Sequence, residues 1–213
     1  PVAVKDFRAF DRTVTVKGLC EREVEADKVI WPINYRVASN DLSDLTAKME
    51  SNRKTIVQFL KDGGIDESEI TFSAPKISDK YSQEYVGTDN RRFRYISQNV
   101  ITVSTEKVSK VQPLTTRVQE LLKAGVIVSS ENYWDDNIQY LFEGLNEIKP
   151  DMIHEATANA RVAAEQFATD SDSKIGKIKT ASQGTFSIED RDATTPQIKR
   201  VRVVTSLTYY LVK

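Results

Sequence analysis

The most constraining feature of the sequence is a run of large apolar side chains at every second residue between positions 29 and 37. The run consists of Val29, Trp31, Ile33, Tyr35 and Val37. A two-residue period indicates a β-strand with one buried face. Such a strand needs neighbouring strands beside it and a second layer above its apolar face.

The rest of the sequence supplies both kinds of partner. Strand-like periods occur at 13–24, 70–74, 91–105, 126–128, 138–142, 174–188 and 197–212. Helical spacings of three and four occur at 41–60, 108–122 and 150–168. The order ββαββ-αββαββ predicts an α+β fold, with antiparallel sheets covered by three amphipathic helices in two similar packed lobes. Long hairpins at 70–105 and 174–212 are expected, with polar tips at 82–90 and 189–196.

Several local signals predict where these elements begin and end. Asp41 is placed to cap the first helix, and Gly63 and Gly64 to end it. Pro150 suits the first turn of the third helix. Gly18 interrupts the first strand, where a bulge or turn is expected. The predicted apolar stripe of the third helix is Ile153, Ala156, Ala160, Ala163 and Phe167.

With 213 residues, the chain can form one large domain or two packed lobes. Residues 1–11 have no period and are interpreted as a lead-in, left after removal of an N-terminal anchor or signal. Residues 12–213 are predicted to form a single domain, with lobes at 12–105 and 106–213.

Charge and hydropathy exclude two functional classes. The chain has 30 basic and 31 acidic residues, a net charge of −1, whereas strong capture of nucleic acid needs a basic excess. The longest uncharged stretch, 95–105, has eleven residues, and a membrane-spanning helix needs about 20. We therefore expect no nucleic-acid partner, and membrane attachment only through a segment absent from this chain.

No catalytic or metal-binding constellation emerges from the sequence. His154 is the single histidine, and Ala158 stands where a zinc-protease motif needs a second one. Cys20 is the single cysteine, so the chain has no internal disulfide, and the residue is interpreted as a partly buried structural thiol rather than a redox sensor. Glycine-rich phosphate loops are missing. We predict no catalytic residues, no cofactor and no metal site.

Two acidic groups were weighed as carboxylate metal sites. One is Asp135 and Asp136 near Glu131, and the other is Asp170 with Asp172. Neither has the spacing of a calcium-binding loop, and acidic runs in loops are usually solvated.

Four residues are the candidates for a ligand or protein interface. Tyr133 and Trp134 form an aromatic pair in a predicted loop, and such pairs line pockets or anchor interfaces. Arg92 and Arg94 alternate with Phe93 and Tyr95, which predicts aromatics in the core and arginines on a surface that contacts an anionic partner or a second subunit.

Two segments resemble the SIMPL-domain family. The first segment has a strand-like stretch at Thr13–Lys17, then Gly18, and then the step Val24-Glu25-Ala26-Asp27. It is similar to the family's opening strand, the glycine that follows it and the V-x-A-D motif. In the second, the alanine-rich segment 156–168 followed by Lys174-Ile175-Gly176-Lys177-Ile178 resembles the family's helix and K-[LI]-G-x-[VI] strand entry. The order of elements between them also agrees, over residues 12–212. Residues 169–173 depart from the pattern, because the family has a glycine-containing turn there.

The resemblance implies a bacterial protein that is exported or membrane-anchored, faces the periplasm or cell exterior, and in some relatives forms rings or is linked to oxidative-stress tolerance. The family has no agreed catalytic residues. The leading hypothesis is therefore a non-enzymatic, periplasmic or otherwise extracytoplasmic homo-oligomer with a structural or stress-protective role in the cell envelope. The alternative is a small-ligand or peptide binding module with a pocket near Tyr133 and Trp134.

Overall fold

A computed structural model describes residues 12–82, 93–128 and 138–212. The described residues form an α+β fold of two antiparallel sheets and four helices, which confirms the predicted class. The strands are β1 (Thr13–Glu25), β2 (Lys28–Ser39), β3 (Ile70–Phe72), β4 (Lys76–Asp79), β5 (Tyr95–Thr105), β6 (Gln139–Leu141), β7 (Lys174–Gln183), β8 (Ser187–Asp190) and β9 (Ile198–Val212). The helices are α1 (Leu42–Asp62), α2 (Val108–Arg117), α3 (Gln119–Lys123) and α4 (Leu145–Asp170).

The chain divides into two compact units that differ from the predicted lobes. The described residues of 26–141 form one, which we call the middle unit, and residues 12–25 with 142–212 form the other, which we call the terminal unit. The predicted boundary between 105 and 106 is wrong, because β1 pairs along its whole length with β9. Sequence adjacency favours pairing of β1 with β2, which instead lies in the other sheet.

In the terminal unit, β9 is the central strand. It pairs with β1 on one side and with β7 and β8 on the other. The predicted hairpin 174–212 is therefore formed. Helix α4 covers one face of this sheet, with the alanines Ala156, Ala160, Ala164 and Ala168 buried on a strict four-residue repeat.

Three local predictions for the terminal unit are wrong. Gly18 lies in regular register opposite Thr205, without a bulge, and serves the close approach of α4. Helix α4 begins at Leu145, so Pro150 lies in its second turn rather than its first. Phe167 is 61% exposed, because the buried stripe follows the alanines and places this side chain on the outer surface.

In the middle unit, β5 and β2 form the centre of the second sheet, in the order β3-β5-β2-β6 with β4 also beside β5. The pairing of β3 and β4 with β5 confirms the predicted hairpin 70–105. The apolar period that predicted β2 is confirmed by complete burial of one face, formed by Val29, Trp31, Ile33, Tyr35 and Val37. This face packs with Leu45, Ile56 and Leu60 of α1 in one core.

The predicted ends of α1 are confirmed. The Asp44 N–H donates to the Asp41 carboxylate at 2.8 Å, and Gly64 follows the helix with a φ of 89°. The predicted helix at 108–122 is divided into α2 and α3 at Val118. Across the described ranges, no helix is long and apolar enough to cross a membrane.

Candidate ligand-binding cavity

A cavity of about 130 Å³ lies between α1 and the sheet of the middle unit. An engineered protein cavity of about 150 Å³ accommodates benzene, so this one suits a ligand of similar size. Helix α1, the strands β2 and β5, and the segment around the end of β3 all contribute to its walls. The lining residues are Tyr35, Thr46, Met49, Glu50, Arg53, Phe72, Ser73, Pro75, Asn99, Val100 and Ile101.

The wall on α1 carries opposite charges close together. Met49 and Glu50 precede Arg53 by four and three residues, so each neighbours the Arg53 side chain on the helix surface. The start of α1 determines which of its residues face the cavity, and it is held by the Ser39 hydroxyl, which donates to the Asp44 carboxylate at 2.6 Å. Glu50 also lies 3.8 Å from Lys54, the outer limit for an ion pair.

The Arg53 guanidinium is held by an aromatic ring rather than by a carboxylate. Its Cζ atom lies 3.7 Å from the centroid of Phe72, a cation–π contact. Within the described residues Arg53 makes no ion pair, so stacking orients the planar group while its N–H donors stay available.

The floor of the cavity contains two polar side chains that are almost fully buried. Tyr35 is 4% exposed and Asn99 is 5% exposed. The Asn99 amide nitrogen donates to the Ser97 hydroxyl at 2.9 Å and to the Tyr35 carbonyl at 3.4 Å. Its amide oxygen accepts no hydrogen bond from the part of the chain that the structure describes. An acceptor in such a position is ready for a donor that enters the cavity.

Tyr35 lines the same cavity as both charges on α1. Burial raises the pKa of Tyr35, Arg53 lowers it, and Glu50 raises it. The hydroxyl is therefore neutral at physiological pH and can donate or accept a hydrogen bond.

Of the four residues predicted from the sequence, only Arg94 is described. Its guanidinium binds both oxygens of Asp79 across the β4–β5 pair, with a shortest distance of 3.0 Å, and lies over the rings of Tyr81 and Tyr95. This pairing holds the pKa of Asp79 below its usual value. Arg92, Tyr133 and Trp134 lie outside the described residues. The interface role of all four stays a prediction.

The expectation that both neighbouring aromatics of Arg94 are core residues is wrong for one of them. Tyr95 packs against the core of the middle unit, whereas Phe93 is 39% exposed. Phe93 precedes β5, so the two-residue period of the strand does not govern its orientation.

The structural interpretation of Cys20 gains support from its environment. Its side chain is 1% exposed in the middle of β1, against Met152 and Ala156 of α4. Burial raises the pKa of the thiol, and the neighbouring Glu155 carboxylate raises it further. A neutral, enclosed thiol is a poor nucleophile and a poor redox sensor. His154 is exposed on α4.

The two acidic groups weighed as metal sites have different outcomes. Asp170 accepts a hydrogen bond from the Gln166 amide at 2.9 Å near the end of α4. Glu131, Asp135 and Asp136 lie outside the described residues. In the ranges the structure describes, no three His, Cys, Asp or Glu side chains gather closely enough to hold a metal ion.

Comparison with known families agrees with the fold. The model of the family described as SIMPL, protein of unknown function (DUF541), matches residues 14–209. The chain therefore belongs to the SIMPL family. No curated protein matches it.

The cavity was missed by sequence reasoning, although one signal was present. Ser97 and Asn99 stand on the same parity as the buried Ile101 and Val103, inside an uncharged strand. Polar residues on a buried parity mark either a hydrogen-bonded core or a cavity wall. The role of Arg53 and Glu50 had no such signal, because charged residues on an amphipathic helix usually face solvent.

Proposed function

We propose that this SIMPL-family chain is a non-enzymatic, extracytoplasmic protein that assembles into a homo-oligomer, with a structural or stress-protective role in the cell envelope. The location and the envelope role rest on the resemblance to exported and anchored relatives. The assembly mechanism rests on one observation in the terminal unit, the ordered loop that joins β8 to β9.

This loop, residues 191–197, overlaps the predicted hairpin tip 189–196 and is organised around Asp192. The Asp192 carboxylate accepts hydrogen bonds from the backbone N–H groups of Thr194 and Thr195, both at 2.9 Å, and from both threonine hydroxyls. Arg191 adds an ion pair at 3.0 Å. A loop that is already ordered loses little conformational entropy on association, so it favours a contact between subunits.

The strand edges of the terminal unit are less suited to that contact. The Asn159 side chain of α4 donates to the Leu19 carbonyl of β1 at 2.9 Å, so the helix occupies part of this edge. Two register shifts interrupt β7. Covered and bulged edges resist pairing with another chain. We therefore assign the main contact to the loop 191–197; the other tip lies almost entirely outside the described residues.

Light scattering on wild type and two variants tests this assignment. Asp192→Ala removes the carboxylate that organises the loop, and Asp170→Ala removes an exposed carboxylate that accepts a single side-chain hydrogen bond on α4. We expect Asp192→Ala to reduce the oligomer to 24.1 kDa monomers and Asp170→Ala to leave its mass unchanged. Circular dichroism checks that both variants are folded. Oligomers of equal mass in all three proteins would refute the loop contact.

The cavity beneath α1 favours a second candidate function, binding of a small ligand. Its support is the combination of a partly open cavity of about 130 Å³ with the available groups of Arg53 and Asn99 in its wall. A thermal-shift screen of small metabolites tests it. A stabilising compound whose effect is lost in Arg53→Met would support it, and a screen without any stabilising compound would count against it. The pocket expected near Tyr133 and Trp134 lies outside the described residues and stays a prediction.

A further inference from the structure

We propose that the cavity beneath α1 binds a small α-amino acid in its zwitterionic form, held between Arg53 and Tyr35 at its carboxylate and Glu50 and Asn99 at its ammonium group. This inference rests on the proposed ligand-binding function and names its ligand class. It is argued from the hydrogen-bonding capacity of the wall, from its charges and from its size.

Two hydrogen-bond donors in the wall are placed to bind the carboxylate of the ligand. Arg53 lines the cavity with its guanidinium face on Phe72 and no carboxylate partner among the described residues. A stacked guanidinium presents its N–H groups in a fixed plane, which suits the two oxygens of a carboxylate. Tyr35 is 4% exposed and lines the same cavity, and its hydroxyl makes no hydrogen bond within the described residues, so it can donate one to the ligand.

Two hydrogen-bond acceptors in the wall are placed to bind the ammonium group of the ligand. Glu50 is three residues before Arg53 on α1, so the two side chains are neighbours on one side of the helix. Asn99 uses its amide nitrogen within the protein, and its amide oxygen is left for a ligand donor. A protonated amine is the ligand group that satisfies both oxygens with its several N–H donors.

Opposite charges on one wall disfavour simpler ligands. A plain carboxylate that reaches Arg53 would lie near the Glu50 carboxylate, and a plain amine that reaches Glu50 would lie near the guanidinium. Glu50 and Arg53 are both exposed to solvent, so water weakens this repulsion, and the loss of one charged hydrogen-bonded pair adds to it.

The volume limits the side chain of the ligand. By comparison with benzene in an engineered cavity, a space of about 130 Å³ holds about six to eight non-hydrogen atoms. Glycine, alanine and serine fall within that limit. The apolar side chains of Met49 and Ile101 complete the wall and favour a methyl group over a polar one.

Isothermal titration calorimetry with matched probes tests the proposal. The probes are L-alanine, propionate, which lacks the amine, and ethylamine, which lacks the carboxylate; L-tryptophan tests the size limit. We expect L-alanine to bind and the other three to bind at least about tenfold more weakly, since a charged hydrogen-bonded pair is lost or the ligand does not fit.

Two variants and a control connect binding to the cavity. Arg53→Met and Glu50→Gln each remove one charge and should weaken L-alanine binding by about tenfold or more. Arg117→Met is the matched control, because Arg117 also lies over a phenylalanine, Phe59, at 5.8 Å but outside this cavity. It should leave the Kd within about twofold of wild type.

The outcomes separate the ligand class from ligand binding itself. If propionate or ethylamine binds as well as L-alanine, with Arg53→Met or Glu50→Gln weakening that binding, the cavity is a ligand site but the amino-acid assignment is wrong. If none of the probes binds and the metabolite screen finds no stabilising compound, both the assignment and the ligand-binding function fail. Equal L-alanine binding by wild type and both cavity variants would place the ligand elsewhere and overturn the proposal.

Discussion

A Cβ atom placed on Gly18 would lie 1.9 Å from the carbonyl oxygen of Ala156 and 2.4 Å from the amide nitrogen of Ala160. Helix α4 therefore packs its backbone directly on β1. The contact is possible because both sides are small: glycine on the strand and alanine at every fourth residue of the helix. These are the residues that carry the family resemblance at the two ends of the chain.

We predict that Gly18→Ala lowers the free energy of unfolding by about 1–3 kcal/mol, because neither backbone group can move aside without shifting the helix. Urea denaturation monitored by circular dichroism measures the change. Leu19→Ala is the control, since Leu19 is 43% exposed on the next position of β1 and should cost less than about 1 kcal/mol. Equal stability of Gly18→Ala and wild type would contradict the close packing.

The N-terminal cap of α1 provides a second prediction. Asp41→Ala leaves the Asp44 N–H without its side-chain acceptor and should reduce stability by about 1 kcal/mol. Asp41→Asn keeps an oxygen in the same place, so it should retain most of that stability. Thermal or urea unfolding of the three proteins is the measurement, and equal losses in both variants would show that the stability does not come from the side-chain oxygen at the cap.

The burial of Cys20 makes a prediction about reactivity. Because the thiol is enclosed and its pKa is raised, iodoacetamide should modify the folded protein at least about a hundredfold more slowly than the protein unfolded in guanidinium. Mass spectrometry of timed samples at pH 8 measures both rates. Comparable rates in the two states would contradict the structural role and restore the redox interpretation.

Asp192 should make stability depend on pH in the acid range. Its hydrogen bonds from Thr194 and Thr195 and its ion pair with Arg191 hold the pKa of the carboxyl far below its usual value of 3.8. A lowered pKa in the folded state adds stability that is complete above the usual value and is lost as the pH falls below it. Wild type should therefore exceed Asp192→Asn in stability at pH 7 and at pH 5.

The comparison at lower pH completes this test. At pH 3 most unfolded molecules carry a protonated Asp192, whereas the folded protein still ionises it, so part of the advantage over Asp192→Asn should be lost. Urea midpoints of both proteins at pH 7, 5 and 3 measure the change. An advantage that stays constant from pH 7 to pH 3 would show that the carboxylate charge does not stabilise the loop.

Local periods in the sequence predict the elements well and their arrangement less well. The buried face of β2 follows directly from its alternation, and the ends of α1 follow from Asp41 and Gly64. The pairing of β1 with β9 does not follow, because it joins residues about 200 positions apart and no local signal encodes it. Because no local signal encodes this pairing, the predicted lobe boundary was also wrong.

The turn after α4 shows how a family pattern can be kept by different residues. The sequence departs from the glycine-containing turn at 169–173, yet Asp172 takes the left-handed conformation there, with a φ of 50°. Aspartate tolerates that region better than most residues. The cavity under α1 was less predictable, because it depends on which side of α1 faces Asn99, and spacing alone does not determine that.

Self-association is the central claim, and the mass of the purified chain in solution tests it most directly. Light scattering should be recorded across a hundredfold range of protein concentration. The account predicts one discrete mass that is a whole multiple of 24.1 kDa and constant over the range. A mass of 24.1 kDa at every concentration would contradict the assembly and leave ligand binding as the function to pursue.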